Sequence, residues 1–213
     1  MAPHDPEPTV AQELVAALSP TADELAVRSE ELARRAADEG LLDIAWSLVS
    51  TGIGTLLLAA TDQGLVRVTL PNEPVDPVLD HLAEQLGPRL MHTTARVDRA
   101  ADELVSYLAG DRRSFDVPLD LALSHGYRRG VLAALCDVPY GATVSYAALA
   151  ASTSSPRAVR AAASACATNP LPLFIPCHRV VRSDGSIGNY GGGPDLKRRL
   201  LDLERPPGEV TDP

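Results

Sequence analysis

Residues 169–193, NPLPLFIPCHRVVRSDGSIGNYGGG, constrain the chemistry and the fold of this chain more than any other segment. An apolar run, residues 171–175, leads into Cys177, which is followed by His178 and Arg179. The prolines around the run stiffen the backbone and give the cysteine a rigid mount. Polarisable or positive neighbours lower the pKa of a thiol. The pattern therefore favours a reactive thiol, with a small buried core cysteine as the alternative.

Cysteine usage and the start of the chain indicate a protein of a reducing compartment. The 213 residues include three cysteines, and an odd number argues against a disulfide framework. The opening residues, MAPHDPEPTV, lack the basic and apolar regions of a secretory signal. No apolar run reaches the roughly 18 residues of a membrane span. We therefore expect a cytoplasmic protein that does not contact a membrane.

The charge of the chain is distributed unevenly. The formal net charge of −9 argues against a nucleic-acid binder when the chain is taken as a whole. Residues 121–213, however, carry ten basic and seven acidic residues. An acidic first part followed by a mildly basic last part indicates an anionic partner for the last part.

Residues 1–44 are expected to form an N-terminal helical extension. Thr21 and Glu24 have the spacing of a capping box, and Gly40 has the position of a helix terminator. Leu25, Leu32 and Ala36 lie on one face of this helix, and the extension is expected to pack on the main body or to tether to it.

Residues 45–121 alternate in pattern as an α/β domain does. Runs rich in branched residues predict strands, and leucines at helical spacing predict helices. The predicted elements are strands at 55–61 and 65–70, helices at 76–87 and 97–110, and a last strand at 114–121.

Residues 122–205 are predicted to be mostly helical, with residues 206–213 as a tail. A helix is predicted at 124–136, and two shorter ones at 145–152 and 155–167. The last of these opens on a Ser-Pro pair, an N-cap followed by proline at the first helical position. Two short helices joined by a tight turn indicate a helix-turn-helix.

Within this half, residues 176–180, Pro-Cys-His-Arg-Val, resemble the active-site signature of the O6-alkylguanine-DNA alkyltransferases, the methylated-DNA–protein-cysteine methyltransferases. Further segments resemble parts of the same family in the same order and spacing. They are the start of the helix-turn-helix (139–141 and 145–146), the recognition helix (156–160), the asparagine hinge (169–170), the active-site loop (188–192) and the closing helix with its glutamate (200–204).

The resemblance implies a fold, a partner and a reaction. The fold is an α/β N-terminal domain with a small ribonuclease-H-like sheet, followed by a mostly α-helical domain with a helix-turn-helix of winged-helix type. The partner is double-stranded DNA carrying O6-alkylguanine, with O4-alkylthymine as a further candidate. The protein would act as a monomer, without a cofactor or a metal ion. No cysteine precedes Cys136, so the zinc site of some relatives cannot be built here.

The resemblance also implies roles around the cysteine. Cys177 would attack the alkyl carbon and keep the group as a thioether, which no protein base readily displaces, so the reaction would run once per molecule. His178 would take the thiol proton through a water, and Glu204 would hold the histidine in the required tautomer. Asn169 would form a hydrogen bond near the thiol or at the hinge.

An alkylated base must leave the duplex stack to reach such a site. The resemblance implies that Arg160 fills the vacated stack, that Tyr146 pushes the 3′ phosphate, and that Arg157 contacts a phosphate. A face of small residues, which also suit any helix, would lie close in the minor groove. It consists of Ala161, Ala162, Ala163 and Ala165. The expected basic footprint consists of Arg157, Arg160, Arg179 and Arg182.

Three positions would contact the base itself. Val180 and the backbone at Cys177 would read the base edge, and Tyr190 would donate a hydrogen bond to the departing guanine. Gly191 belongs to a glycine run that lets backbone approach the base, at a position where many family members carry serine. Pro194 also departs from the family pattern, which leaves the range of accepted alkyl groups open.

Two other functions stay open from the sequence. A cysteine hydrolase could use Cys177, His178 and Glu204, although no oxyanion motif is evident, and it would turn over many times. A non-catalytic binder of alkylated DNA is the second, although such proteins replace the cysteine that this chain keeps. The glycine spacing at 185–191 follows the cysteine rather than opening a strand-to-helix turn, which argues against an S-adenosylmethionine-dependent methyltransferase.

Overall fold

The structure, a computed structural model, describes residue 9 and residues 19–205, and its elements form two groups along the chain. The first group is α1 (Ala22–Asp38), β1 (Ile44–Thr51), β2 (Gly54–Ala60), β3 (Leu65–Val68), α2 (Val75–Leu86), β4 (Leu90–His92) and α3 (Asp98–Leu108). The second is α4 (Gly126–Cys136), β5 (Val144–Ser145), α5 (Tyr146–Ala151), α6 (Val159–Ala167), a 3₁₀ helix (Cys177–Arg179), β6 (Val180–Val181) and α7 (Gly193–Leu203). The tail predicted at 206–213 and the start of the predicted extension lie outside the described residues. Within the described part of the chain, no helix is long and apolar enough to cross a membrane.

Strands β1 to β4 form one sheet in the order β3-β2-β1-β4. β1 and β2 form an antiparallel hairpin in which Trp46 pairs with Ala59, whereas β4 adds parallel to β1. Because side chains alternate across a strand, β2 faces two cores. Leu56 and Leu58 belong to the larger core, and Leu57 belongs to the smaller one, which lies against α2.

The predicted strands and helices of the first group correspond to β2, β3, α2 and α3, whereas the sequence patterns miss β1 and β4. The strand predicted at 114–121 is wrong, because it contributes one isolated bridge, between Leu119 and Leu65. Pro118 has no N–H to donate, so this segment pairs through the Pro118 carbonyl and the Asp120 amide, both to Leu65.

Helix α1 begins and ends where the sequence predicts. Glu24 N donates to Thr21 Oγ1 at 3.2 Å and Thr21 N donates to Glu24 Oε2 at 2.8 Å, which are the two bonds of a capping box. Gly40 follows the helix with φ +67°, a left-handed conformation that suits glycine at a helix end.

The two leucines on the apolar face of α1 are exposed. Leu25 and Leu32 are 53% and 59% exposed, so they do not form the buried side of the helix. The helix packs through Ala33, which is fully buried, and through Glu30, whose Oε2 accepts from Thr93 Oγ1 at 2.8 Å. A hydrogen bond to the residue after β4 and the buried Ala33 therefore hold the helix, and the apolar stripe that helical periodicity indicates does not.

Helices α4, α5 and α6 of the second group pack against one another. α5 and α6 are the two short helices predicted for a helix-turn-helix, but α6 begins at Val159 and not at the Ser-Pro pair. Residues 155–158 form a turn closed by a hydrogen bond from Ala158 N to Ser155 O at 2.9 Å. β5 and β6 pair in parallel and thus hold the start of α5 beside the 3₁₀ helix that precedes β6.

One apolar core joins the two groups. It combines Leu104 and Tyr107 of α3 with Leu132 of α4 and with Leu171 and Ile175, which lead to the cysteine. All five are fully buried. The first group therefore packs directly against the segment that carries the cysteine, and its side chains can reach that site.

Candidate active site

The apolar run before the cysteine, residues 171–175, is a short segment held by hydrogen bonds within its own backbone. Every residue from 171 to 177 except the prolines is a buried apolar residue or the cysteine itself. Leu173 adopts φ +76°, which is costly for a non-glycine residue and is held here by complete burial. Ile175 N donates to Leu171 O, and Cys177 N donates to Ile175 O, both at 2.8 Å. These bonds fix the backbone on which the thiol stands.

Asn169 holds the thiol and the hinge together. Its Nδ2 donates to Cys177 Sγ at 3.2 Å and to Ile175 O at 2.8 Å, while its Oδ1 accepts from Leu171 N at 3.0 Å. The two locations considered from the sequence, the thiol and the hinge, are therefore both contacted by one buried amide.

The expectation that neighbours lower the pKa of Cys177 is wrong. Burial raises the pKa of this thiol, and the hydrogen bond from Asn169 and the charge of Lys197 oppose that rise only in part. His178 and Arg179 contribute little because their side chains are engaged by Glu204. The raised pKa favours the protonated form of this thiol.

His178 is fully buried and lies within a polar cluster from both halves of the chain. Its Nε2 is 3.0 Å from Glu204 Oε1 and 3.3 Å from the hydroxyl of Tyr107, which itself donates to Glu204 Oε1. Burial lowers the pKa of His178, although the bond to Glu204 opposes this. Its Nδ1 is a buried atom with no hydrogen-bond partner among the described residues. The neutral imidazole therefore keeps one nitrogen free to take a proton.

Glu204 follows the last turn of α7 and is 2% exposed. Arg179 donates to both carboxylate oxygens: Nε to Oε2 at 2.8 Å and to Oε1 at 3.1 Å, and Nη2 to Oε1 at 2.7 Å. Gly141 N donates to Oε2 at 3.2 Å. Burial alone would raise the pKa of Glu204, but the hydrogen bonds from His178 and Arg179 outweigh it and bring the pKa to about 2. The carboxylate is thus ionised and supplied with donors on both oxygens.

Lys197 of α7, the sole lysine, is fully buried. Its Nζ donates to the carbonyls of Val180 and, at 3.4 Å, Asn189. Burial lowers the pKa of this ammonium, and the nearby thiols of Cys177 and Cys166 oppose the change. The side chain therefore fastens the active-site loop to β6 and places a positive group near the sulfur.

Two adjoining cavities meet at the cysteine. One, of about 400 Å³, is lined by Tyr146, Ala163, Arg182 and Asn189 on the side of the helices. The other, of about 440 Å³, extends to the first group and is lined there by Arg67, Leu70, Glu73 and His81. Both cavities share Cys166, Ala167, Cys177, Tyr190 and Gly191. Cys166 is a second buried thiol at the site, and burial raises its pKa to about 12.

Of the residues expected to meet DNA, Tyr146 and Ala163 line the first cavity, and the others are described by their exposure, with two corrections. Arg160 and Ala161 are exposed on α6, Arg157 is exposed on the turn before it, and Tyr146 starts α5. The face of small residues is narrower than expected, since Ala162 and Ala165 are buried in the core.

The basic footprint also loses one expected member. Arg179 is 7% exposed and paired with Glu204, so it faces the interior. Arg182 is exposed and lines the first cavity.

Of the three residues expected to contact the base, two line the cavities. Tyr190 lines both, its hydroxyl is a buried atom with no partner in the described part of the chain, and burial raises its pKa well above 10. Gly191 lines both as well. Val180 is fully buried in β6 and its carbonyl accepts from Lys197, so its side chain is not part of either cavity wall.

Family models match both halves of the chain. The model described as "6-O-methylguanine DNA methyltransferase, DNA binding domain" matches residues 126–206, and the model described as "6-O-methylguanine DNA methyltransferase, ribonuclease-like domain" matches residues 44–121. The chain belongs to the 6-O-methylguanine DNA methyltransferase family. The two-domain fold that the sequence resemblance implies is confirmed, with a small mixed sheet in the ribonuclease-like domain and helices in the DNA-binding domain.

Relatives of known name and structure agree with this placement in the methyltransferase family. The chain is 36% identical over 161 residues to the inducible methylated-DNA–protein-cysteine methyltransferase of Bacillus subtilis, covering 75% of this chain and 89% of that protein. It is 34% identical over 170 residues to the methylated-DNA–protein-cysteine methyltransferase of Mycobacterium tuberculosis, covering 79% and 98%. The crystal structure of Mycobacterium tuberculosis OGT in complex with DNA superposes with a TM-score of 0.66 at 32% identity, covering 76% and 92%.

Several residues of this methyltransferase site are not predicted from the sequence. Tyr107 reaches the His178–Glu204 pair from the other domain, and its one signal is a hydroxyl on the apolar stripe of α3. Lys197 has a compositional signal, as the single lysine beside eighteen arginines. Asn72, whose Nδ2 donates to Gly191 O at 2.9 Å, lies 119 positions away in an exposed turn and has no sequence signal.

Proposed function

We propose that this protein repairs DNA by transferring the alkyl group of an O6-alkylguanine in double-stranded DNA to Cys177, once per molecule. The observation that carries the proposal is a buried thiol that accepts a hydrogen bond from Asn169 and is followed directly in sequence by His178, which is buried and paired with Glu204. Its support also includes family membership and a relative whose structure is a complex with DNA.

The chemistry begins with a protonated thiol. Glu204 accepts from Nε2 of His178 and thereby leaves Nδ1 as the basic nitrogen, which takes the thiol proton through a water. The sulfur forms a bond to the alkyl carbon while the bond from that carbon to O6 breaks. The imidazolium that results is stabilised by the ionised carboxylate of Glu204.

The leaving group is a purine with new negative charge. Tyr190 presents a buried hydroxyl without a partner among the described residues, and we assign it the hydrogen bond to the departing guanine. At neutral pH this hydroxyl keeps its proton, because burial raises its pKa well above 10. Gly191 allows the backbone to approach the base beside it.

Entry of the base requires flipping, since an O6 atom inside a duplex cannot reach a thiol that is 6% exposed. Arg160 is exposed on α6 and suits the vacated stack, with Tyr146 at the adjoining phosphate and Arg157 as a further phosphate contact. Ala161 gives α6 a small outward residue, which suits close approach in the minor groove.

The proposal includes a monomer acting in the cytoplasm. One chain supplies the thiol, the base, the orienting carboxylate and the outward arginine, so no second copy is needed to complete the site. Among the described residues the cysteines are free, and a reducing compartment keeps such a thiol available. The proposed domain limits are 1–44 for the extension, 45–121 for the α/β domain, 122–205 for the helical domain and 206–213 for the tail.

The test is stoichiometry and location. Incubation with a duplex containing O6-methylguanine should add one methyl group per protein, and peptide mass spectrometry should place it on Cys177. Cys177→Ala should accept none, and Cys136→Ala, which removes an exposed thiol of the same chain, should accept one. Transfer by the Cys177→Ala protein would overturn the proposal. Repeated turnover would indicate a hydrolase, and binding without transfer would indicate a lesion-binding protein.

A further inference from the structure

The end of β3 and the turn that follows it, residues 69–74 and here called the bridging turn, together contact both walls of the cysteine site. On one wall, Arg67 at its base donates to the carbonyl of Pro170 at 3.2 Å, one residue after the asparagine that holds the thiol. On the other wall, Asn72 Nδ2 donates to Gly191 O at 2.9 Å. The ribonuclease-like domain therefore touches the hinge and the active-site loop at once.

Internal bonds brace the bridging turn. Glu73 Oε1 accepts from Leu70 N at 2.7 Å, and Glu73 N donates to Leu70 O at 3.0 Å. The other carboxylate oxygen pairs with Arg67. These bonds fix the backbone of the turn, and the side chain of Asn72 therefore contacts the loop from a rigid support.

The loop that Asn72 holds forms a wall of the reacting site. Gly191 lines both cavities beside Cys177 and Tyr190. A Cβ at Gly191 would lie 3.2 Å from Leu70 Cδ1, closer than ordinary van der Waals contact, so the loop already lies against the bridging turn. A shift of Gly191 away from this turn changes the space beside the sulfur directly.

We propose that Asn72 is a positioning residue for alkyl transfer, which holds the active-site loop (188–192) through the Gly191 carbonyl and so favours small alkyl groups. The inference rests on the proposed function. Loss of the bond lets the loop withdraw, which slows attack on a methyl group because its base is held less closely. A larger group gains room by the same movement, so discrimination by size decreases.

The experiment compares O6-methylguanine with O6-benzylguanine in the same duplex, by single-turnover rates at saturating protein. Asn72→Ala removes the donor, and Asn72→Asp keeps the shape but places a carboxylate against a carbonyl. Gln63→Ala is the matched control, because it removes an exposed amide from the turn between β2 and β3. An ordinary hydrogen bond corresponds to about 2- to 10-fold in rate. We expect methyl transfer to fall about 5-fold in both Asn72 variants, and the benzyl-to-methyl ratio to rise about 3-fold.

The ratio distinguishes positioning from a general structural role. We expect thermal midpoints, and the dissociation constant for unmodified duplex, to match those of the unaltered protein in every variant. Three results would overturn the inference. They are an unchanged benzyl-to-methyl ratio, an equal loss of rate on both substrates with a lower thermal midpoint, and an Asn72→Asp protein that behaves as the unaltered one. The unaltered protein is measured first, so that failure of transfer there refutes the proposed function, whereas transfer with an unchanged ratio refutes this inference alone.

Discussion

Glu204→Gln tests the buried polar cluster most directly, because it removes a charge while keeping the shape. The carboxylate is 2% exposed and its partner Arg179 is 7% exposed, so the guanidinium would be left buried without a counter-charge. Breaking a buried ion pair on one side costs about 3–5 kcal/mol, a large part of the roughly 5–15 kcal/mol that stabilises a typical protein. Urea unfolding at pH 7 should show a midpoint lower by about 1–2 M with an unchanged slope.

The same variant should lose activity for a separate reason. Without the carboxylate, His178 is neither oriented nor stabilised as a cation, and loss of general-base assistance costs about 10²-fold or more in rate. The double variant Arg179→Met with Glu204→Gln removes both partners, so it should regain part of the stability but none of the rate. Asp202→Asn, a half-exposed carboxylate on the same helix, should change unfolding by less than about 0.5 kcal/mol. A Glu204→Gln protein of normal stability and normal rate would refute this account of the site.

The remaining predictions concern the footprint, the base and the lysine. Arg160→Ala should slow repair of duplex DNA by about 10-fold or more while the reaction with free O6-benzylguanine stays unchanged; equal losses would exclude a role in flipping. Because the pKa of His178 is lowered from 6.5, the single-turnover rate should stay level down to pH 6.5 and fall only below it; a fall that begins above pH 7 contradicts this assignment. Lys197→Met leaves the carbonyls of Val180 in β6 and Asn189 in the loop without this donor and should lower the unfolding free energy by about 1–3 kcal/mol, whereas Arg198→Met, at an exposed neighbour, should have little effect.

Local patterns predicted the second domain better than the first. Helical spacing and the cysteine motif are features of adjacent residues, so they identify α4 to α6 and the site around Cys177 from the sequence alone. β4 lacks a local signal because it is three residues long and pairs with a strand more than forty residues earlier. The exposed leucines of α1 show the same limitation, since the helix packs through Ala33 and through the hydrogen bond that Glu30 accepts from Thr93.

The thiol environment was predicted with the wrong sign for a physical reason. Adjacent His178 and Arg179 suggest an electropositive setting for Cys177, but an adjacent position in sequence does not decide where a side chain points. Glu204, which lies 26 positions after His178, draws both side chains to itself. The groups that act on the thiol are the amide of Asn169 and the ammonium of Lys197, which lower its pKa, and burial, which raises it and has the largest effect.

The net charge of the chain affects how a damaged base is distinguished from undamaged DNA. With Arg179 turned inward, the exposed bases expected at the DNA surface are Arg157, Arg160 and Arg182. Two or three phosphate contacts correspond to a slope of about −2 to −3 in a plot of log affinity against log salt. Such a footprint on a chain of net charge −9 holds undamaged DNA weakly, so discrimination must come from the base in the pocket. Fluorescence anisotropy with unmodified duplex at several salt concentrations measures the slope, and a value steeper than about −6 would contradict the small footprint.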